Sequence, residues 1–394
     1  MEKVISVPSE EGLLERTAAL SDQLADLRDW SKENRRLHED AVEALTRAGI
    51  LHMRRPARLG GYESSTRTMI EVLSILAGVD GSVAWNASAW TIGAWMTGMF
   101  PDHVQDEVFA DERSRVCVVL SPTATATETE DGLVVDGRWA FLSGALHSSW
   151  QVILTMAPAP DGSLWPVAGL VPMSELEIVD DWHTSGLVGT GSVTSVAHGV
   201  HVPWERTLPM AAIMGNQYRS EANRESPLFN QPMLPTGASG FIGVVLGLAR
   251  AAQADFFARL PKRKITFTDY SAQAEAPITH FQVAEALLKL EEAEYHAYKM
   301  ADMLDGKGAA GEPWKLEDRV RYRGSFGRMA QLAKESVDIL SAASGGSSIY
   351  TNVAIQRIHH DLDALSKHAL MHPNTNFELF GRVMCGLEPN TMYL

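Results

Sequence analysis

The spacing of apolar residues divides the chain into helical, strand-forming and again helical regions. Between about residues 10 and 50, leucine and alanine recur every three or four positions among charged residues, which predicts helices. A second helix in this region covers His38 to Ala48, and Ser65 and Thr66 are suited to cap the next one. The sequence Asp80-Gly81-Ser82 interrupts that helix, and Val83 to Phe100 predicts another, strongly apolar helix.

From about residue 115 to 205 the pattern changes to short runs rich in Val, Ile and Leu, separated by Gly, Pro and Asp. Such runs predict a compact β-domain of the barrel or sandwich type. The last of them, Ser192 to Pro203, alternates apolar and polar residues as a half-buried strand does. No G-x-G-x-x-G motif leads into a helix here, so a Rossmann domain is not supported.

Helical periodicity then returns. The predicted helices are Gly240–Leu260, Gln282–Leu304, Glu317–Ser344, Val353–Leu370 and Phe377–Leu387. The resulting prediction is an α+β multidomain protein with three parts: an N-terminal helical domain over 1–112, a central β-domain over 113–208 and a C-terminal helical bundle over 209–394.

Composition narrows the function. The chain has 394 residues, more than one hydrophobic core usually organises. Its composition, 45% hydrophobic and 21% charged, is typical of a globular protein. A net charge of -15 argues against nucleic acid as a partner, because phosphates require clustered Lys and Arg. The N-terminus shows no signal peptide, and no apolar run approaches the ~18 residues of a membrane span. Cys117 and Cys385 show no metal or redox spacing. We therefore expect a cytoplasmic protein that acts on small molecules.

Trp139 to Trp150 is the stretch most suited to a ligand. Alternating large residues lead from a turn into Ser143-Gly144, which predicts a strand that runs into a bend. Glycine has no Cβ, so a ligand can approach the backbone closely, and the neighbouring aromatic residues can supply a flat wall. These features suit a planar cofactor, although the stretch taken alone is explained more simply as a strand and a turn.

Several motifs in this order resemble the acyl-CoA dehydrogenase fold, and most of all its oxygenase branch, the two-component (group D) flavin-dependent monooxygenases. Gly137 to Gly144, followed by His147 and Trp150, looks like the oxygenase form of the strand that faces the flavin. Trp182 to Ser192, with the Val-Pro pair that follows at 202–203, is similar to a stretch that the family shares. The resemblance covers nearly the whole chain and implies a C-terminal four-helix bundle.

The same resemblance implies which residues hold the flavin. In the β-domain these are Trp139, Phe141, Ser143 and Gly144, with Ser143 placed to hydrogen-bond near the flavin N5 atom. In the bundle, Arg259 to Gln282 resembles the segment whose arginine meets the flavin phosphates. Arg263 is the nearest match and Arg259 the alternative. Ser344-Gly345-Gly346 looks like the glycine pair that packs on the cofactor of a neighbouring subunit.

The two branches of the family differ in their chemistry. A dehydrogenase needs a carboxylate base for the proton alpha to a thioester carbonyl, and many members carry it in a Tyr-Glu-Gly-Thr stretch near the C-terminus. Here the similar place reads Met371 to Thr375, with Pro373 where that glutamate would stand. This argues against an acyl-CoA dehydrogenase that makes an alpha,beta-double bond, although some members carry the base elsewhere, so that activity stays an alternative.

An oxygenase of this type implies another set of groups. Oxygen adds at C4a of the reduced flavin to give a hydroperoxide, which transfers an oxygen atom to an electron-rich substrate, while the protein excludes water and offers a base. Imidazole suits that base near neutral pH. His368 and His372 are the candidate catalytic histidines, with Ser143 to help hold the peroxide. The expected reaction is hydroxylation of an aromatic or heteroaromatic small molecule, with N-hydroxylation of an amine as the variant.

The resemblance also implies a substrate pocket near the helix Val83 to Phe100, with Asn86, Trp90 and His147 as candidate wall residues. Core packing is the simpler explanation for the tryptophans of this helix, and His147 is as well suited to a structural role. Related hydroxylases often carry a histidine in this helix, and by count its place is taken by Gly93. This departure makes simple phenol hydroxylation less secure.

Two other functions are weighed against the oxygenase. His359, His360, Asp363, His368 and His372 are candidate metal ligands, since histidines four apart share a helix face. No Glu-x-x-His motif or second histidine pair completes such a site, so we expect no metal. The other alternative is a non-enzymatic scaffold protein that keeps the flavin-binding fold.

The resemblance also implies the cofactor, the partner and the assembly. The cofactor is FADH2 rather than FMNH2, with O2 as co-substrate. The partner is a separate NAD(P)H–flavin reductase, and the assembly is a homotetramer.

Overall fold

The computed structural model describes residues 8–159 and 161–394 of the chain. The first part is helical, as the periodicity predicts. Serine side chains cap two of its helices: Ser9 accepts the N–H of Gly12, and Ser65 accepts the N–H of Thr68. The helices are α1 Glu10–Ala18, α2 Ser21–Asn34, α3 Glu39–Arg47, α4 Thr66–Val79, α5 Gly81–Thr97 and α6 Asp102–Val108.

Helix α5 runs through the interior. Asp80 ends α4 and caps α5 by accepting the N–H of Ser82, which confirms the predicted interruption. Every residue of α5 except Ile92 is buried, as expected for a helix that is apolar on all sides. It packs against α4 and against elements of both later parts of the chain. Side chains on α5 therefore reach the boundary between the helical and β-sheet parts.

The middle of the chain forms one mixed sheet of eight strands within the described residues, in the order β6-β7-β3-β2-β4-β5-β8, with β1 paired to β4. Strands β1 and β2 run parallel to β4, and the other pairs are antiparallel. The strands are β1 Val116–Val118, β2 Ala124–Glu128, β3 Gly132–Trp139, β4 Trp150–Pro158, β5 Leu164–Pro172, β6 Glu177–Val179, β7 Thr194–Pro203 and β8 Thr207–Pro209.

Helices form the rest of the chain: α7 Met210–Met214, α8 Met233–Arg259, α9 Pro277–Ala310, α10 Leu316–Ala343, α11 Ala354–Ser366 and α12 Pro373–Met384. Several predicted boundaries are wrong. Helix α9 covers Pro277–Ala310 rather than Gln282–Leu304, and α11 ends at Ser366 rather than Leu370. Helix α8 begins at Met233 rather than Gly240, and α12 begins at Pro373 rather than Phe377. Proline is favoured in the first helical turn, because the N–H that it lacks has no partner there.

Helix α8 is long and strongly apolar. Within the described residues, the helical stretch Met233–Lys262 is long and apolar enough to cross a membrane, with a mean hydropathy of 1.4 in its 18-residue window. However, 61% of that window is buried inside the protein, as in a core helix. Its apolar residues pack with α4, α5, α10 and α11, so the interior of the fold accounts for its hydropathy.

Candidate active site at the turn after strand β3

The chain bends after β3 as predicted. Phe141 has a φ of +64° and an exposed side chain, whose ring is edge-on to Trp182 with the centroids 6.1 Å apart. Gly144 has a φ of +75°, and a Cβ there would lie 2.4 Å from Nε1 of Trp90. Glycine is therefore needed for the packing of Trp90 as well as for the turn.

Ser143 lies in the bend and is largely buried. The indole Nε1–H of Trp85, on α5, donates to its Oγ at 2.8 Å. The Oγ atom of Ser143 also lies 2.7 Å from Oγ of Ser192, in the turn before β7. Two contacts from different parts of the chain thus fix the hydroxyl, and a fixed hydroxyl is what a flavin-binding serine requires.

Three aromatic rings meet beside this hydroxyl. The ring of Trp85 stacks on Phe241 of α8 at 4.7 Å between centroids. His368, which follows α11, lies 4.9 Å from Phe241 and 5.7 Å from Trp85 by the same measure. We call Trp85, Ser143, Phe241 and His368 the aromatic cluster. It combines flat apolar surfaces, a hydroxyl and an imidazole, which suits a planar cofactor and an aromatic ligand.

His368 is neutral and has a defined tautomer. Burial lowers its pKa from 6.5 to about 4 and is the sole cause of the shift. The Nδ1 atom accepts the backbone N–H of Leu370 at 3.2 Å, so the ring proton lies on Nε2. Nε2 has no hydrogen-bond partner among the described residues, and it can donate to a ligand. The expectation of a base with a pKa near neutrality is therefore wrong for His368 in the free protein.

The structure separates the two candidate catalytic histidines. His372 caps α12, and its side chain is exposed. Its backbone carbonyl accepts hydrogen bonds from Thr375 and Asn376. His368 lies in the aromatic cluster and His372 does not, although the two are one helical turn apart in sequence.

The structure corrects two expectations, that Trp139 contacts the flavin and that Trp90 lines the substrate pocket. The side chain of Trp139 is fully buried in the core of the sheet, and its indole N–H donates to the carbonyl of Leu154 at 2.9 Å. The side chain of Trp90 is 1% exposed and donates to Ser148 Oγ at 3.0 Å. Neither ring is available to a ligand, because each fills the interior behind the bend.

Asn86 and His147 are also buried. Asn86 donates from Nδ2 to the carbonyl of Thr190 at 3.0 Å, while its Oδ1 has no partner among the described residues. His147 lies with Nδ1 3.3 Å from Oε2 of Glu39 and edge-on to Trp90. Burial is the largest cause of its lowered pKa. Asn86 joins α5 to the turn before β7, and His147 packs between α3 and the bend, so the structure supports positioning roles for both.

Gly93 does not face this cluster. A Cβ at residue 93 would lie 2.0 Å from the carbonyl oxygen of Val116 in β1, so no larger side chain fits there. The departure from the family pattern therefore reflects close packing of α5 on the sheet, and His368 is the imidazole that the cluster contains.

Arg263 lies beside the glycine pair Gly345-Gly346. Both are far along the chain from the bend after β3. The guanidinium of Arg263 donates to the carbonyl of Ser344 and, at 3.0 Å, to Oγ of Ser347. Gly345 has a φ of +61°, and a Cβ there would be 3.3 Å from Nη2 of Arg263. Arg259 forms an ion pair with Asp255 at 2.6 Å and also donates to Oγ of Ser344 at 3.1 Å. Arg263 is partly exposed beside exposed backbone, which fits contact with a phosphate group.

The remaining histidines of α11 are explained by packing. His359 Nε2 lies 2.9 Å from Oδ1 of Asp338, and His360 Nδ1 lies 3.1 Å from the carbonyl of Ser185. Across residues 8–159 and 161–394, no group of three or more His, Cys, Asp or Glu side chains is placed to hold a metal ion.

The partners of Ser143 and His368 were not predicted from the sequence. Core packing was the expected role of Trp85, and no role was expected for Phe241 or for the hydroxyls of Thr190 and Ser192. A signal was present in the last case, since Thr190-Gly191-Ser192 belongs to the stretch that resembles the family. Phe241 carries no such signal, because it is one apolar residue in a long apolar helix.

Comparisons with known proteins show the family and the fold of the chain. Residues 239–373 match the family described as "Acyl-CoA dehydrogenase, C-terminal domain". The chain is 30% identical over 385 residues to the flavin-dependent monooxygenase, oxygenase subunit HsaA, of Mycobacterium tuberculosis, with 94% of this chain and 95% of that protein covered. It is 27% identical over 398 residues to the FADH2-dependent resorcinol hydroxylase, oxygenase component, of a Rhizobium species, with 97% and 96% covered.

Among solved structures, XiaF from a Streptomyces species in complex with FADH2 and glycerol is similar with a TM-score of 0.91 and 27% identity, over 98% of both chains. Its likeness shows an acyl-CoA dehydrogenase-like fold of mixed α+β type. Relatives named oxygenase subunits or components imply a separate reductase that supplies the reduced flavin. The chain therefore belongs to the oxygenase components of the two-component flavin-dependent monooxygenases.

Proposed function

We propose that this oxygenase hydroxylates a small aromatic or heteroaromatic substrate in a pocket bounded by the aromatic cluster. The observation that carries the proposal is the contact of His368 with Trp85 and Phe241, beside Ser143. Two flat rings favour an aromatic ligand, and burial excludes water from the reacting groups. Reduced flavin, when bound, supplies the electrons that activate O2.

In this proposal His368 acts as a hydrogen-bond donor. Its Nε2–H is directed by the bond between Leu370 N–H and Nδ1, and its low pKa keeps the ring neutral at pH 7. A neutral donor stabilises negative charge on a substrate oxygen, such as that of a phenolate, and adds no full charge of its own to the buried site. The same donor serves less well for an amine, which presents no such oxygen before it is hydroxylated.

A chemically reduced flavin tests this function without a reductase. The protein is mixed with FADH2, isotopically labelled O2 and a panel of phenols, indoles and amines. We expect a product that carries one labelled oxygen atom. His368→Ala should lose it, His368→Asn should keep part of it because the amide retains an N–H donor, and His372→Ala should keep it. Reduction of bound FAD by an acyl-CoA, with no labelled product, would show a dehydrogenase instead.

We also propose that the flavin is FADH2 rather than FMNH2. In this proposal Arg263 and Gly345, which lie in contact, meet the diphosphate that FMN lacks, and the similar XiaF structure, which holds FADH2, supports the choice. Arg263→Ala should weaken FADH2 binding several-fold and leave FMNH2 binding unchanged. Lys264→Ala, the neighbouring exposed cation, is the matched control. Equal loss of both flavins would contradict this assignment.

We also propose that the protein is a homotetramer in the cytoplasm. Helix α9 carries apolar side chains that are exposed in the single chain and share one face: Ile278, Phe281, Leu288 and Tyr295. Near Arg263, the exposed residues Phe267, Ile349 and Tyr350 add further apolar surface. Such surfaces are typical of contacts between subunits, and they support a flavin site that a second copy helps to close.

A further inference from the structure

Three hydroxyl groups form a continuous chain behind the bend. The Oγ of Ser143 lies 2.7 Å from Oγ of Ser192, which lies 2.7 Å from Oγ1 of Thr190. Thr190 Oγ1 in turn lies 2.8 Å from the backbone carbonyl oxygen of Leu187. All three side chains are buried, so water does not compete for these contacts.

The direction of every hydrogen bond in this chain is determined. A carbonyl oxygen can only accept, so Thr190 must donate its single hydroxyl proton to Leu187. Ser192 must then donate to Thr190, and Ser143 must donate to Ser192. Any other arrangement leaves two oxygen atoms 2.7 or 2.8 Å apart with no proton between them. Such a buried, unpaired contact is costly.

This direction leaves Ser143 able to accept but not to donate. Its proton is used by Ser192, and one lone pair accepts the indole N–H of Trp85 at 2.8 Å. One further lone pair remains. A ligand atom that contacts this hydroxyl must therefore carry a hydrogen.

The two redox states of a flavin differ at this point. Reduced flavin carries a hydrogen on N5, whereas N5 of oxidised flavin has only a lone pair. We propose that Thr190 and Ser192 orient the hydroxyl of Ser143 so that the site binds reduced flavin in preference to oxidised flavin. The inference rests on the proposed function and on the place near the flavin N5 atom that the family resemblance implies for Ser143. Thr190 and Ser192 are positioning residues in this scheme, since both act through the hydroxyl of Ser143.

The expected preference is roughly ten-fold, the ratio that corresponds to one hydrogen bond gained in one state and an unpaired acceptor in the other. A preference of this sign suits an oxygenase that receives reduced flavin from a reductase. It captures the reduced form from solution and releases the oxidised form after turnover.

Binding measurements test the inference without turnover. Dissociation constants are measured by titration calorimetry for oxidised FAD in air and for FADH2 under anaerobic conditions. Thr190→Val keeps the shape of the side chain but removes the terminal donor, so Ser192 can turn its proton toward Ser143, and Ser143 can donate to oxidised flavin. We expect the preference for FADH2 to fall roughly ten-fold, mainly through tighter binding of FAD. Ser192→Ala should act in the same way, by removing the acceptor for Ser143.

Thr91→Val is the matched control, because Thr91 Oγ1 is buried on α5 and donates only within that helix, to the carbonyl of Ala87. It should keep the wild-type preference. The inference is overturned if wild type binds both redox states equally, or if Thr190→Val and Ser192→Ala both retain the wild-type ratio. If wild type binds neither flavin, the proposed function is overturned as well.

Discussion

The indole N–H of Trp85 donates to Oγ of Ser143 at 2.8 Å, which joins a helix of the N-terminal part to the bend after β3. The same ring stacks on Phe241 of α8. One tryptophan therefore contacts the two other parts of the chain at the candidate site. The position of Ser143 relative to α8 and His368 depends on this residue.

Trp85→Phe should increase uncoupling, the release of H2O2 in place of product. Phenylalanine keeps the stack on Phe241 but leaves Ser143 without its N–H donor, at a cost of about 1 kcal/mol in stability. We expect the same direction for Ser143→Ala. The measurement compares oxygen consumed, H2O2 released and product formed. Trp30→Phe, at a partly exposed tryptophan away from the cluster, is the control. Unchanged H2O2 in both variants would exclude the assigned role of Ser143.

His368 should make the protein sensitive to acid. Its pKa is about 4 in the folded chain and 6.5 in the unfolded chain, so between these values the unfolded chain binds more protons. Stability is therefore complete above about pH 6.5 and decreases as the pH falls toward 4. Relative to wild type, His368→Gln should lose about 2 kcal/mol less between pH 7 and pH 4.5.

Urea denaturation at the two pH values measures this difference. His372→Gln controls for the loss of a histidine at an exposed position close by. An identical acid sensitivity in wild type and His368→Gln would mean that the imidazole is not buried as the structure shows.

Asp361 should have the opposite effect on stability. It is buried on α11, accepts the N–H of Leu187 at 2.7 Å and lies near the buried Asp80. Burial is the main cause that raises its pKa from 3.8 to about 7; the charge of Asp80 adds to the rise, while the N–H of Leu187 and the charge of Arg357 oppose it. The folded chain then binds more protons between these values, so stability decreases as the pH rises from about 4 through 7.

Asp361→Asn keeps the acceptor for Leu187 without the charge. We expect it to stabilise the protein by about 1–3 kcal/mol at pH 8 and to change little at pH 4. Thermal denaturation at both pH values measures this. Asp363→Asn is the control, because Lys367 lowers the pKa of Asp363, and its removal should not stabilise at pH 8. A destabilised Asp361→Asn at pH 8 would contradict the prediction.

The exposed face of α9 should hold subunits together. Phe281→Glu and Leu288→Glu each place a charge in the proposed contact, which an interface core disfavours. Sedimentation should show smaller assemblies for both variants. Leu164→Glu makes the same change at an exposed position on β5 and should leave the assembly intact. Retention of the wild-type assembly by both α9 variants would exclude this face as the interface.

Local sequence patterns were sufficient for the elements and for the bend. The three-and-four spacing of leucines, the cap at Ser65, the interruption at Asp80 and the alternation in β7 are properties of neighbouring residues, so they can be read without a fold. Predicted helix boundaries were wrong where two signals compete. Pro373 ends the connection before it and also begins helix α12. The family resemblance added the flavin, which no local pattern specifies.

The tertiary structure decided which of the predicted residues meet. His368 and His372 have the same spacing signal, yet one lies against Trp85 and the other is exposed. Trp139 and Ser143 belong to one predicted stretch, yet one fills the core and the other faces α5. These differences depend on contacts between residues far apart in the chain, such as Ser143 with Ser192. The sequence alone determined that a serine would stand in this bend, whereas packing between distant elements determined the direction of its proton.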